Sequence, residues 1–389
     1  MLLRTPGATF FHSSAWAGVL SESYGYKPFY FTVMEGDRLR ALVPLMEVNS
    51  FLTGKRGVSL PFTDSCEPIL EEGIEFQDLF ARIIEYGQAQ GWKYIELRGG
   101  EEYFRSQESG IRIQDTGVGN LNPETRSLKP EAGNRQPATV RSSLTRNPEL
   151  AFDGLQPPTS NRQPATGNVP FVTYLTHTLD LTKGEKTLHS GLRDSTRRNI
   201  RKAEKEKVEV RIGKTGDALK EFCRLNRLTR REHGLPPQPC HFFEKVHRYI
   251  ISEEKGFIAL AYFQGKAIAG NVYFHFGHPA VYKYGASDKA YQHLRANNLV
   301  MWEAIRWFAE KGFKSFGFGR TEPENEGLRQ FKAGWGAEES RIHYFKYDLR
   351  QSAFVPGKEK GEPAYAHLFR ATPAPILNAI GSLLYRHMG

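Results

Sequence analysis

A lysine flanked by aromatic residues is the side chain in this sequence that points most directly to group-transfer chemistry. Lys332 follows Phe331 and precedes Trp335 in a short predicted helix, shortly after a predicted strand that leads to Arg320. A lysine partly withdrawn from water could stabilise a developing oxyanion or hold a carboxylate. A surface lysine whose stem covers aromatic packing is the alternative, and it is the simpler interpretation of these residues alone.

A strongly basic helix is the second candidate. Residues 193–214 contain nine basic and four acidic side chains, which is about half of the chain's formal net charge of +10. Arg197, Arg198 and Arg201 could therefore attract a polyanion such as tRNA, a nucleotide-linked substrate or an anionic membrane surface. Ion pairs four residues apart on an exposed helix explain the same charges equally well.

Two helix ends carry further groups that could bind anions. Arg231 and His233 lie in the last turn of a predicted helix, where the helix dipole favours cations in any case. The loop 286–298 joins a strand to a helix that starts near Asn297 and Asn298, and backbone N–H groups at such a junction can hold phosphate. This loop has no glycine that would let the backbone wrap around phosphate, and Asn297 could be a simple N-cap.

Alternating strands and helices must position these residues. The first half predicts a hairpin over 29–45, a helix over 76–90 and a strand over 94–97. The second half predicts strands at 174–181, 257–263, 267–276, 280–286, 314–319 and 342–347 and helices at 188–207, 217–234, 297–311 and 326–333. Both halves therefore follow one α+β plan, with mixed sheets flanked by helices.

A segment of different composition separates the two halves. Residues 119–169 contain seven prolines, and Phe152 is their only aromatic side chain among Phe, Tyr and Trp. Such a segment buries too little apolar surface to offset its ordering entropy, so we expect a disordered or low-complexity insertion. The predicted organisation is an N-terminal domain at 1–118, the insertion at 119–169, a C-terminal domain at 170–350 and a tail at 351–389.

Overall composition narrows the class of protein. The 389 residues are 39% hydrophobic and 25% charged, and no stretch has the roughly 18 uninterrupted apolar residues of a membrane span. The start of the chain lacks an apolar signal core, so we expect a cytoplasmic protein. Three widely spaced cysteines fit neither a disulfide framework nor a thiolate metal site, and we expect no metal.

The tail has apolar residues at helical spacing over 374–387. This amphipathic helix could make a peripheral contact with the inner face of a membrane. Packing of the tail on its own domain is the more common outcome for such a segment, and it is the interpretation that we prefer.

Together these motifs resemble the FemAB-like branch of the GNAT acyltransferase superfamily over residues 10–118 and 170–350. The resemblance rests on Arg230-Arg231-Glu232-His233-Gly234-Leu235-Pro236, Tyr284-Gly285-Ala286-Ser287, Phe316-Gly317-Phe318-Gly319-Arg320, and Phe331-Lys332-Ala333-Gly334-Trp335. It implies two GNAT-like domains packed together and the transfer of an acyl group to a primary amine.

The resemblance also implies roles for particular residues. In the Fem pattern a Phe-Lys pair supplies a lysine that steadies charge at the reacting carbonyl, and Phe331-Lys332 match that pair, which makes Lys332 the expected catalytic residue. The residues expected to bind substrate are Arg231, His233, Tyr284, Asn298, Arg320, Phe331 and Trp335.

The family's donors and acceptors become expectations for this chain. Fem proteins move amino acids from aminoacyl-tRNA to peptidoglycan precursors, and similar chains are described as acetyltransferase-like proteins of envelope or exopolysaccharide systems. The donor would thus be acetyl-coenzyme A or aminoacyl-tRNA, and the acceptor a small-molecule or lipid-linked envelope precursor.

The sequence departs from the family pattern at two places. Residues 238–243 lack the arginine that Fem enzymes use for the precursor's phosphates, and residues 293–298 lack the spaced glycines of the coenzyme A loop. A different class of function is therefore kept as the alternative: a non-catalytic protein of the GNAT fold that binds an anionic polymer or nucleotide-linked precursor through the basic helix.

Overall fold

The computed structural model describes residues 7–105, 139–142, 170–357, 369 and 372–389. The described α-helices longer than one residue are α1 (Ser14–Tyr24), α2 (Phe76–Ala89), α3 (Glu102–Arg105), α4 (Glu185–Ser190), α5 (Asp194–Lys205), α6 (Gly216–Glu232), α7 (Cys240–Val246), α8 (Ala296–Glu310), α9 (Glu326–Ala333) and α10 (Ala374–Leu384). The described strands are β1 (Lys27–Glu35), β2 (Arg38–Ser50), β3 (Gly54–Val58), β4 (Ile69–Leu70), β5 (Tyr94–Arg98), β6 (Thr139–Ser142), β7 (Val172–Asp180), β8 (Glu209–Gly213), β9 (Gly256–Phe263), β10 (Lys266–His275), β11 (Pro279–Ser287), β12 (Ser315–Thr321), β13 (Glu338–Asp348) and β14 (Ala353–Phe354).

The described strands form one mixed sheet that runs through both halves of the chain. Its order is β6-β1-β2-β3-β5-β13-β7-β12-β11-β10-β9-β8, with β4 on β2 and β14 on β13. Strand β13 joins the halves because it pairs antiparallel with β5 on one side and with β7 on the other. The expected α+β class, with a mixed sheet flanked by helices, is confirmed.

Helices cover the sheet through apolar faces at helical spacing. Helix α2 buries Leu79, Phe80 and Ile83 against the strands of the first half. Helix α8 is buried along much of its length and packs with α5 in the core of the second half. A third core contains Trp16 of α1 together with residues of both halves, so the two halves also share apolar packing.

The prediction of one continuous basic helix over residues 188–207 is wrong. The structure has two helices there, α4 and α5, separated by residues 191–193. The Arg193 N–H donates to the Gly334 carbonyl at 2.9 Å, so this backbone pairs with a distant segment instead of continuing the helix.

Part of the predicted insertion is ordered. Residues 139–142 form strand β6, which pairs antiparallel with Phe31–Met34 of β1. The other residues of 119–169 lie outside the described part of the chain, and the domain boundaries remain predictions.

The tail packs on both halves of the molecule. Gly381 of α10 lies against the backbone of Pro237, which follows α6. Beyond α10, the Tyr385 carbonyl accepts from Tyr26 Oη at 3.1 Å, and the His387 carbonyl accepts from Arg56 Nη2 at 3.0 Å. Among the helices that the structure describes, none is both long enough and apolar enough to cross a bilayer.

Candidate active site

Two parallel strands separate at the centre of the sheet. Strands β11 and β12 pair from Pro279 with Ser315 as far as Val281 with Gly317, although both strands continue beyond that pair. Strand β12 also shifts register against β7 between Gly317 and Arg320, and Gly319 has a φ of +69° that glycine adopts without strain. The end of β12 therefore remains paired with β7 but separates from β11, which leaves a gap in the ladder between β11 and β12.

Lys332 of helix α9 binds the backbone of β12 beyond this separation. Its Nζ donates to the carbonyl of Gly319 at 2.8 Å and to that of Arg320 at 3.1 Å, and only 2% of the residue is exposed. The interpretation as a surface lysine is therefore wrong. Helix α9 is fixed at its start by Asn325, whose side chain accepts from the Leu328 N–H at 3.1 Å.

The surroundings of Lys332 tune its charge. Burial lowers the pKa of Lys332 to about 8; the nearby carboxylates of Asp64 and Glu322 oppose this lowering, and the ammonium of Lys283 adds to it. The side chain therefore remains largely protonated at neutral pH. Two of its three N–H groups bind carbonyls, and the third has no partner among the described residues.

An ion pair connects the two halves beside this lysine. Lys283 Nζ of β11 lies 3.1 Å from Asp64 Oδ2, which belongs to the loop after β3. The Lys283 side chain is 6% exposed, and its Nζ lies 4.9 Å from the ring centroid of Phe11. Burial lowers the pKa of Lys283, and Asp64 opposes that effect. Removal of either partner would leave the other poorly solvated.

A small cavity of about 200 Å³ opens between the halves at this point. Its lining residues are Asp64, Ser65, Glu67, Thr176, Arg320, Ser340, Arg341 and Ile342. Burial raises the pKa of Glu67, with a contribution from Glu102. Carboxylates from the first half and arginines from the second half therefore line the same small cleft.

Arg320 is held rigidly at the wall of this cavity. Its Nη1 donates to Tyr344 Oη at 2.9 Å, and its guanidinium lies 4.4 Å from the ring centroid of Tyr174. Tyr344 Oη in turn donates to the Asp64 carbonyl at 2.7 Å. Strands β7, β12 and β13 thus fix the position of Arg320, one of the residues that we expect to bind substrate.

A second cavity of about 340 Å³ lies where two helices begin. Its lining includes Arg193, the N-cap residue of α5, and Arg295, the N-cap residue of α8, together with backbone and side chains of the first turns of both helices. Two helix dipoles and two guanidinium-bearing residues converge there, which favours a phosphate or another anion. Asn298 and Phe331, two of the residues that we expect to bind substrate, also line this cavity.

The N-cap of α8 is Arg295, so the expectation that Asn297 caps this helix is wrong. Arg295 has a φ of +59°, the left-handed conformation that glycine adopts most easily. Asn297 lies in the first turn, and its Nδ2 donates to Ser287 Oγ at 3.3 Å. The backbone therefore bends at Arg295 although the loop has no glycine. The lack of glycine in this loop is thus no argument against a phosphate site.

Arg231 and His233 line a third cavity, of about 590 Å³, next to the second one. The two cavities share Ser287, Asp288 and Gln292. They form one continuous groove along the ends of β11, α6 and α8.

Several residues that the sequence predicts to bind substrate or a polyanion lie outside these three cavities. Tyr284 packs on Phe243, with ring centroids 5.3 Å apart, and Trp335 is 1% exposed; neither lines any of the three cavities. Arg197 donates to the Ser190 carbonyl at 2.8 Å and pairs with Asp194, whereas Arg198 and Arg201 are exposed on α5.

Sequence reasoning missed the residues that complete the cleft. Asp64 and Glu67 follow β3, and Lys283 lies within a strand rich in aromatic residues. Arg295 lies in the loop 286–298, where the lack of glycine argued against a phosphate site. The signal that could have revealed Lys283 was a charged residue in a strand otherwise made of apolar and aromatic residues.

Residues 190–339 match the model of the acetyltransferase (GNAT) domain. No curated protein sequence matches the chain.

Several solved structures are similar in fold at low sequence identity. FemX is 12% identical with a TM-score of 0.62, and the match covers 90% of this chain and 94% of FemX. L-PGS from Bacillus licheniformis is 12% identical with a TM-score of 0.44, covering 87% of each chain. A tandem GNAT protein from the clavulanic acid biosynthesis pathway is 9% identical with a TM-score of 0.45, covering 87% of this chain and 88% of that one.

Proposed function

We propose that this acyltransferase, whose residues 190–339 match the GNAT acetyltransferase domain and whose overall fold is similar to that of FemX, transfers an acetyl or aminoacyl group to a primary amine of a cell-envelope precursor. The observation that carries the proposal is the cleft between the halves. Two carboxylates and two arginines line this cleft, and the buried Lys332 donates to the carbonyl of Arg320 in its wall.

The donor would bind in the groove formed by the second and third cavities, which we therefore call the donor groove. Acetyl-coenzyme A and aminoacyl-tRNA both carry phosphates, and the N-termini of α5 and α8 would hold them together with Arg193 and Arg295. Phe331 lines the groove, and its neighbour Lys332 lines none of the three cavities but donates to the carbonyl of Arg320, which lines the small cavity. Helix α9 would thus connect the donor's phosphate site with the reacting carbonyl.

The acceptor amine would enter the small cavity between the halves. There Glu67, whose pKa burial raises, would take the proton that the amine loses as it attacks the acyl carbonyl. The carbonyl oxygen becomes negative in the tetrahedral intermediate, and the free N–H of Lys332 would stabilise it. When the bond to the donor's sulfur or oxygen breaks, the acyl group stays on the amine and the leaving group is released.

The choice of an envelope precursor is supported by the sequence resemblance to Fem proteins and by the FemX fold. A peptidoglycan or exopolysaccharide precursor at the cytoplasmic face of the membrane would present such an amine. Residues 238–243 lack the arginine of Fem enzymes, and Arg320 and Arg341, which line the acceptor cavity, would then replace its positive charge.

A direct test supplies the purified chain with isotope-labelled acetyl-coenzyme A or aminoacyl-tRNA and with a fraction of envelope precursors. We expect one donor to label an amine-bearing precursor, and Lys332→Ala to abolish most of the labelling. Absence of labelling from either donor, with precursor and protein both intact, would contradict the proposal.

A further inference from the structure

Exposed apolar side chains are concentrated at one place on this molecule. Seven large apolar side chains of the described residues are strongly exposed, and five of them belong to two segments that meet. These are Phe51 and Leu52 in the turn between β2 and β3, and Ile376, Leu383 and Met388 in the tail. We call these five residues the apolar face.

The turn and the tail are in direct contact. The ring of Phe51 lies edge-on to the imidazole of His387, with centroids 4.5 Å apart. Ser50 Oγ shares a hydrogen bond with His387 Nδ1 at 3.0 Å, and Thr53 Oγ1 donates to the His387 carbonyl at 3.4 Å. Met388 follows His387 directly, so its exposed side chain belongs to the same patch.

The turn presents its apolar residues from a fixed backbone. Ser50 Oγ accepts from the N–H groups of Leu52 at 3.2 Å and Thr53 at 3.1 Å, which closes the turn. Phe51 is 80% exposed and Leu52 is 56% exposed, at a hairpin tip where polar residues are usual. An ordered, protruding pair of large apolar side chains is typical of an interaction site.

Helix α10 continues the apolar character of this surface. It contains no charged residue, and it buries Leu377 and Gly381 against the protein. Ile376 and Leu383 lie two helical turns apart on the other side and are 54% and 59% exposed. An outer face without charges is unusual for a helix in contact with water.

Cations border the apolar face. Lys93 is exposed, and its Nζ lies 3.4 Å from the Thr53 carbonyl at the base of the turn. Arg386 is exposed between the buried Tyr385 and His387. Lys55, next to the turn, is paired with the buried carboxylate of Glu47 at 3.0 Å. The border therefore adds positive charge around exposed apolar groups, as in proteins that bind anionic lipid surfaces.

We propose that the apolar face docks on the surface of an anionic bilayer. Phe51 and Leu52 would enter the boundary between headgroups and acyl chains, α10 would lie in the plane of the interface, and Lys93 and Arg386 would contact lipid phosphates. A second copy of the chain fits this surface less well, because a two-fold contact would bring the same cations together. This inference needs no acyl donor or acceptor and stands apart from the proposed function.

Docking there has a consequence for the donor groove. Tyr385 Oη accepts a hydrogen bond from Arg230, the neighbour of the groove residue Arg231. The tail thus links the apolar face to the end of α6 that lines the groove. Docking would hold this end of the groove close to the membrane.

The test is sedimentation of the full chain with vesicles, in the absence of any substrate. We expect binding to vesicles of phosphatidylcholine with phosphatidylglycerol, weaker binding to phosphatidylcholine alone, and weaker binding at high salt. The double variant Phe51→Ser/Leu52→Ser should lower the apparent affinity at least about tenfold. The variant Lys93→Glu/Arg386→Glu should abolish the preference for the anionic vesicles.

A matched control separates docking from general surface apolarity. Ile212 is 38% exposed on β8, at the far edge of the sheet, so Ile212→Ser should bind like the unchanged protein. Thermal unfolding of each variant confirms that it is folded. Equal binding by the Phe51/Leu52 variant, no binding of the unchanged chain to anionic vesicles, or a dimer in light scattering that this variant abolishes would each overturn the proposal.

Discussion

The ammonium of Lys332 lies 2.8 Å from the carbonyl oxygen of Gly319, beyond the last residue at which β12 pairs with β11. This hydrogen bond has two consequences. It gives a partner to a carbonyl beside the gap in the strand ladder, and it holds a positive charge next to the cavity between the halves. The residue expected to act in catalysis is therefore also part of the local structure.

Lys332→Met should therefore affect both stability and activity. Two buried carbonyls lose a charged donor, so we expect a loss of about 1–3 kcal/mol in the free energy of unfolding. Loss of an oxyanion-stabilising group should lower kcat by about 100-fold or more. Urea unfolding and steady-state kinetics measure the two effects. An unchanged kcat in a folded variant would show that Lys332 is structural only.

The pH dependence follows from the lowered pKa of Lys332. Its pKa is about 8 in the folded protein against an ordinary value of 10.5, so the ammonium is lost as the pH rises through about 8. We expect kcat to fall on the alkaline side of that value. A rate that stays constant from neutral pH to well above this range would show that the ammonium is not needed.

The same shift has an opposite effect on stability. Between about 8 and 10.5 the unfolded chain binds more protons at Lys332 than the folded chain does. This group therefore makes the free energy of unfolding increase with pH over that interval. Urea unfolding of the unchanged protein and of Lys332→Met across this interval isolates the contribution of Lys332. The increase of the unfolding free energy with pH that Lys332 causes should be absent in the variant.

The Asp64–Lys283 ion pair should be needed for the packing of the two halves. Asp64→Asn leaves the buried ammonium of Lys283 without its counter-charge, and we expect a loss of about 3–5 kcal/mol in unfolding free energy. Lys283→Met in addition should recover much of this loss. A double variant as unstable as the sum of the single variants would mean that the two side chains are not coupled.

Arg295 should act on donor binding rather than on chemistry. Removal of its charge from the donor groove by Arg295→Gly keeps the left-handed backbone without strain, and we expect the KM for the donor to rise about tenfold with kcat nearly unchanged. Lys205→Ala, an exposed cation at the other end of α5, is the matched control. Equal donor KM values for both variants would place the phosphates elsewhere.

The sequence allowed the prediction of Lys332 and Arg320 because both lie in a local motif. Asp64 and Lys283 escaped detection because they are 219 positions apart and meet only through the pairing of β13 with β5 and β7. Their encounter depends on sheet register, which local patterns do not encode.

Other differences also depend on contacts that local sequence patterns do not encode. Tyr284 belongs to a family-like motif on β11, but alternation along a strand does not say which face meets the core and which meets a ligand. The break at 191–193 depends on a hydrogen bond to Gly334, far away in the sequence. Propensity alone favoured one long helix there.

The central claim is that this chain transfers an acyl group to an amine of an envelope precursor with Lys332 in the reaction. Mass spectrometry of precursors from cells that have the protein, lack it, or carry Lys332→Met tests it most directly. We predict a precursor whose mass is larger by one acetyl or aminoacyl group in the first cells and not in the other two. Identical precursor masses in all three would contradict the account.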